Sequence, residues 1–220
     1  MSMKIVKVGG SLLAPKNTLW LNTDYCTYFF ERWKHIWDDK ILVHGAGNIG
    51  HGFIKTYGLS SETYLQWRTI LHGMFTSIDT ATGAVRLYPE EITYLSPDTQ
   101  GSFVLGWDIR PNLTISSWDT QFPEIINVTQ ATEGYMLTNV GWVLDKNNQI
   151  IPVITKNILS SIAFREVDND VTWGMKWKIE ELFDRIKHPC IIWILDGHDL
   201  DNVSLVMHTG MWVWTKIIIE

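Results

Sequence analysis

The sequence predicts an α/β protein whose mainly parallel sheet is covered by helices on both faces. Short apolar runs such as KILVH (Lys40–His44) and CIIWIL (Cys190–Leu195) alternate with longer segments at helical spacing almost throughout. Those runs are apolar at nearly every position, as strands buried on both faces must be. The chain has 220 residues, 45% of them hydrophobic, enough to bury one sizeable core in a single or two-lobed domain.

Taken in order, Met3–Val8 reads as a strand ending in Gly9-Gly10-Ser11. Asn22–Asp38 reads as a helix, with Asn22 or Thr23 as N-cap and Phe29, Phe30, Trp33, Ile36 and Trp37 at core spacing. Lys40–His44 is a second strand, ending in Gly45-Ala46-Gly47, and a helix follows through His51 to Tyr57. Glu62–Thr80 reads as helical and Ala84–Leu87 as a strand. A polar, proline-containing stretch, Tyr88–Gln100, precedes a strand at Phe103–Leu105, a hairpin-like region to Ser117 and a helix from about Thr120. Further strands are expected at Tyr135–Thr138, Val143–Leu144, Ile150–Ile154, Cys190–Leu195 and Val213–Ile219, and Lys176 and Lys178 open an amphipathic helix. GHDLDN (Gly197–Asn202) reads as a strand–turn–helix connection.

A net charge of −6 and no run of Lys or Arg argue against a nucleic-acid footprint, so an anionic substrate needs a local basic cluster. Cys26 and Cys190 lack any CxxC or Cys/His spacing, which suits small core residues in a reducing compartment and gives no zinc site. The opening MSMKIVKVGG has no apolar stretch of signal-peptide length, and no run approaches a membrane span. A cytoplasmic location follows as the expectation, and the glycosylation patterns at Asn112, Asn127 and Asn202 are then coincidental.

Both early glycine clusters directly follow a strand, where open α/β sheets bind ligands, yet neither is GxGxxG or GxxxxGK[ST]. KVGGS (Lys7–Ser11) resembles the opening signature of the amino acid kinase superfamily, and HGAGNIGHG (His44–Gly52) is similar to its isopentenyl phosphate kinases and the related fosfomycin kinases. FVLGWDI (Phe103–Ile109) resembles a segment ending in HGDI, and ISSWDT (Ile115–Thr120) resembles ISGDD. LTNVGWVLD (Leu137–Asp145) is similar to TDVDGV, DVTWGMKWKIEE (Asp170–Glu181) to DVTGGMKxKIE, and VWTKI (Val213–Ile217) to GTKI. The segment Glu62–Gln100 is shorter than the family pattern and lacks a helix-and-strand unit after TGAVRLYP.

The resemblance implies a three-layer α/β/α sandwich, with residues 1–130 holding the acceptor and residues 131–220 the nucleotide. It implies a homodimer, Mg²⁺ held largely by phosphate oxygens, and transfer from ATP to isopentenyl phosphate. A kinase for another small phosphate or phosphonate such as fosfomycin is the nearest alternative, and a non-catalytic binding protein that kept the fold is the other. Phosphoryl transfer asks for positive charge and positioning, so Lys7, Lys16 and Lys178 are implied to steady the transferring group, with Asp119 organising the lysines. Gly9, Gly10, Ser11, Gly45 and Gly47 are implied to offer amides to phosphates, while Thr138, Gly174, Lys176 and Lys178 lie on the nucleotide side. Gly45, Ala46, Gly50, His51 and Trp118 fall on the acceptor side, His51 donating to the acceptor phosphate. A bound dianion would favour the His51 imidazolium. Asn139 and Gly141 replace the aspartates of DVDG, which weakens the implied nucleotide contacts.

Twelve tryptophans are far more than most soluble chains of this length carry, and five of them, Trp107, Trp118, Trp142, Trp173 and Trp214, fall where the family pattern has glycine. Glycine serves such points through positive φ or close backbone approach. At about 1–3 kcal/mol each, five forced replacements would rival the stability of a whole domain. The expectation is that these positions are glycine codons misread: a UGA read as glycine in the source and translated as tryptophan. A divergent protein rich in tryptophan is the alternative.

Overall fold

The computed structural model describes residues 3–16, 18, 20–36, 39–139, 141–164, 174–211 and 214–220. Trp37, Trp173 and Val213, singled out above, lie outside the described residues.

The strands are β1 (Lys4–Val8), β2 (Lys40–His44), β3 (Val85–Arg86), β4 (Ser102–Gly106), β5 (Asp108–Ile109), β6 (Ile115–Ser116), β7 (Glu133–Thr138), β8 (Val153–Thr155), β9 (Cys190–Asp196) and β10 (Thr215–Ile219). The helices are α1 (Gly10–Leu13), α2 (Thr23–Ile36), α3 (Gly47–Tyr57), α4 (Ser61–Thr82), α5 (Trp118–Thr129), α6 (Lys156–Leu159), α7 (Gly174–Arg185) and α8 (Leu200–Thr209). An eight-stranded sheet runs in the order β3-β4-β2-β1-β7-β9-β10-β8, and β5 and β6 form a separate antiparallel hairpin. From β3 to β9 all neighbours are parallel; β10 pairs antiparallel to β9 and parallel to β8. The carboxyl ends of β1, β2, β4, β7 and β9 therefore share one edge of the sheet.

Alternation along the buried strands divides the apolar residues between the two faces. Val6, Val8, Leu42, Val104, Leu137 and Leu195 join a cluster with α2, α4 and α8, while Ile5, Ile41, Val43, Leu105, Met136 and Ile194 join one with α5 and α7. Each fully buried aliphatic side chain contributes about 1.5–3 kcal/mol.

Several elements begin where a cap dictates. Asn22 caps α2, its Oδ1 accepting from the Tyr25 amide at 3.2 Å. Ser117 caps α5, which starts at Trp118, two residues before Thr120, its Oγ accepting from the Asp119 amide at 3.1 Å. GHDLDN does join β9 to α8, with Asp199 as the N-cap of α8. Val143–Leu144 forms no strand: the Asp145 Oδ1 accepts from the amides of Asn147 and Gln149, closing a turn that leaves only an isolated bridge from Leu144 to Ile150. The predicted strand at Ile150–Ile154 correspondingly starts later, as β8. The short helices α1 and α6 were not anticipated.

Candidate active site

The two glycine turns meet at the carboxyl edge between β1 and β2. A Cβ on Gly45 would lie 2.8 Å from the Gly10 nitrogen, and one on Gly10 would strike the Gly47 backbone. Gly47 also has φ +52°, a left-handed conformation that side chains rarely adopt, and its space is closed by the carbonyls of Gly10 and Ala14. Glycine is required here by one backbone packing on another.

That packing corrects part of the amide assignment. The Gly9 N–H donates to the Leu137 carbonyl at 2.9 Å and the Gly45 N–H to the Val8 carbonyl at 3.2 Å, so both are spent extending the sheet. Gly50 lies buried within α3 against the Trp107 ring, its N–H directed to the Ala46 carbonyl. The Gly10 and Ser11 amides, at the start of α1, donate to no group among the described residues. Ala46 is the N-cap residue of α3.

Lys7 lies in β1 just before the first turn, on the α5 face, with only 2% of its side chain exposed. Its Nζ donates to Asp119 Oδ1 at 2.6 Å, and Asp119 stands in the first turn of α5. Among the described residues this is the only hydrogen bond the ammonium makes, although it carries three donors. The rest of the group faces aromatic rings, with Nζ 3.9 Å from the Trp118 centroid and 5.7 Å from that of Phe122. Lys178 Nζ stands 5.9 Å from the same Trp118 ring.

Electrostatics joins a fourth group to these three. Burial holds the Lys7 pKa below the ordinary lysine range, Asp119 opposes that shift and Lys178 adds to it. The His51 pKa is lowered, first by burial and then by Lys178, with Asp119 again opposing. Lys7, Asp119, Lys178 and His51 thus share one field, and without an anion that field favours neutral imidazole. Thr138 ends β7 beside Asp196 of β9, and its carbonyl accepts from the Gly197 amide at 2.9 Å.

No protein-family model matches the chain, and no curated protein is significantly similar to it. Solved structures are similar over its whole length. An isopentenyl phosphate kinase structure is 16% identical, covering 98% of this chain and 99% of that one, with a TM-score of 0.74. A T. acidophilum isopentenyl phosphate kinase in a product complex is 17% identical over 98% and 99%, with a TM-score of 0.68. An N-acetylglutamate synthase from Neisseria gonorrhoeae, complexed with coenzyme A and L-arginine, is 11% identical over 100% of this chain and 62% of that one, with a TM-score of 0.66. The chain has the amino acid kinase fold.

Within this amino acid kinase fold the remaining sequence candidates separate. Lys16 is exposed in the turn after α1, where the chain leaves the core beyond the buried Ala14, and it makes no ion pair among the described residues. Lys176 points along the outer face of α7, 3.8 Å from Glu180, while Lys178, two residues on, faces Trp118. Gly174 begins α7. Sequence reasoning did not single out Ser117, whose position directly before a helix was a usable capping signal, or Asp196, whose place at the end of β9 emerges only from sheet order.

At the four of these tryptophans that are described, the positive φ that would strain a side chain does not occur. Among the described residues positive φ outside glycine occurs at Leu113, Gln130 and Asn148, so Trp107, Trp118, Trp142 and Trp214 have none. Trp107 and Trp214 are buried in the core instead, Trp107 edge-to-face with Trp67 at 5.0 Å. Trp118 is different, because its ring takes up space beside Lys7 and Gly45. Among the described residues no three His, Cys, Asp or Glu side chains converge as a metal site, and Asp119 is committed to Lys7.

Proposed function

We propose that the protein is an ATP-dependent small-molecule kinase, with isopentenyl phosphate as the acceptor it phosphorylates to the diphosphate. The observation that carries the reading is the buried Lys7 ammonium, held by one carboxylate with donors to spare, at the strand edge where two glycine turns meet. An acceptor phosphate oxygen attacks the terminal phosphorus of ATP, a new P–O bond forms, the bond to the ADP oxygen breaks and ADP departs with the electron pair. The acceptor is already ionised, so no general base is needed. Lys7 and Lys178 balance charge on the transferring oxygens, and Asp119 fixes the direction of Lys7. His51 donates to the acceptor phosphate, whose charge would raise its pKa. The amides of Gly10 and Ser11 remain candidates for phosphate oxygens, and Thr138, Gly174 and Lys176 for the nucleotide.

On this reading residues 1–130 hold the acceptor and 131–220 the nucleotide, Mg²⁺ arrives with the nucleotide's phosphates, and the enzyme is a cytoplasmic homodimer. No helix among the described residues is long and apolar enough to cross a membrane. The misread-codon reading belongs to the same proposal, since Trp118 crowds the lysines. The test combines codons and activity. UGA codons at 107, 118, 142, 173 and 214 support it and UGG codons end it. The chain made with glycine at those positions should transfer phosphate from ATP to isopentenyl phosphate in preference to fosfomycin. A folded chain that turns over neither acceptor would favour a non-catalytic binding protein, the reading that a ring stacked on Lys7 suits.

A further inference from the structure

We infer that the side chain at position 118 sets access to the phosphate-binding lysine: tryptophan closes the site by standing where the anion must go, and glycine opens it. The inference rests on the reading of Lys7 as a phosphate ligand. Three measurements place the indole across the approach. Its centroid is 3.9 Å from Lys7 Nζ, within the range of a cation–π contact, and 5.9 Å from Lys178 Nζ. On a third side, a Cβ built on Gly45 would lie 3.5 Å from Trp118 Cε2, so the ring spans from the lysines to the glycine turn.

The lysine it covers has something to offer. Lys7 is almost wholly buried, yet among the described residues its Nζ makes one hydrogen bond, and the ring faces that stand in for further acceptors cannot satisfy donors as phosphate oxygens would. Trp118 is attached at the first position of α5 and is only half-buried, so the ring can turn towards solvent without unfolding a helix. An anion must displace that contact before it meets Lys7, which weakens apparent binding in proportion to the closed fraction.

Calorimetry with inorganic pyrophosphate tests this without requiring turnover. Trp118→Gly and Trp118→Ala should each bind pyrophosphate about tenfold more tightly than the chain with Trp118, the range a desolvated cation–π contact allows. The gain should vanish when Lys7→Ala is added to either. Equal affinities in folded variants, or a gain that survives the loss of Lys7, would overturn the inference. Should neither variant fold, the unaltered protein crystallised with pyrophosphate decides: the ring is expected to have left Lys7, and pyrophosphate bound with the stacking intact would sink the idea. The Lys7-dependent gain without any kinase activity would leave the gate standing and remove the kinase reading, whereas kinase activity with no such gain would do the reverse.

Discussion

Arg86 and Lys7 are both buried cations paired with a carboxylate, on opposite faces of one sheet, and they are satisfied to different degrees. The Arg86 guanidinium reaches Asp79 through Nε at 3.0 Å and Nη2 at 2.5 Å, gives Nη1 to His44 Nε2 at 3.0 Å, and stacks 4.1 Å from the Phe75 ring. Lys7 has one oxygen and two rings. A cation held on all three nitrogens serves the fold, and one held by a single contact has donors to offer a ligand.

The largest effect expected from this contrast is on stability. Asp79→Ala strands a buried guanidinium and should destabilise the protein by about 3 kcal/mol, measured by urea unfolding. Lys7→Met should leave stability within about 1 kcal/mol, since losing a buried charge offsets losing the pair, but, on the proposed kinase reading, lower kcat/KM about 100-fold in the glycine-bearing chain. If Lys7→Met unfolded the protein and Asp79→Ala did not, the contrast would be the wrong way round.

A smaller effect comes through pH. Burial first, then Arg86, holds the His44 pKa well below 6.5, against a backbone hydrogen bond to Gly45 that opposes the shift. The unfolded chain therefore binds more protons between the folded pKa and 6.5, so stability from this group is complete above that window and falls as the pH drops through it. From pH 7 to pH 5 the protein should lose more stability, read by urea unfolding, than His44→Gln, which can still accept from Arg86. Parallel pH curves for the two would mean that His44 is protonated in the fold.

These pairs also mark how far the sequence could be read. β1, β2 and β9 were legible because strands buried on both faces are apolar nearly throughout, and the glycine turns because no side chain fits there. Lys7 and Asp119 are 112 residues apart and Arg86 and His44 are 42 apart, so no local spacing announces either contact. Lys16 and Lys178 looked alike as lysines near motifs; the outward turn after α1 and the inward face of α7 separated them. The Asp145 turn overrode the strand tendency of Val143 and Leu144 because a carboxylate competing for backbone amides is invisible to an apolar pattern.

The contact between the glycine turns has an evolutionary side. Most crowded places in a protein can drift, because a neighbour may shrink when one residue grows. Gly10 faces Gly45 and Gly47, and none of the three has a side chain to give up. No compensating change exists nearby, so descent can only preserve this junction or lose it.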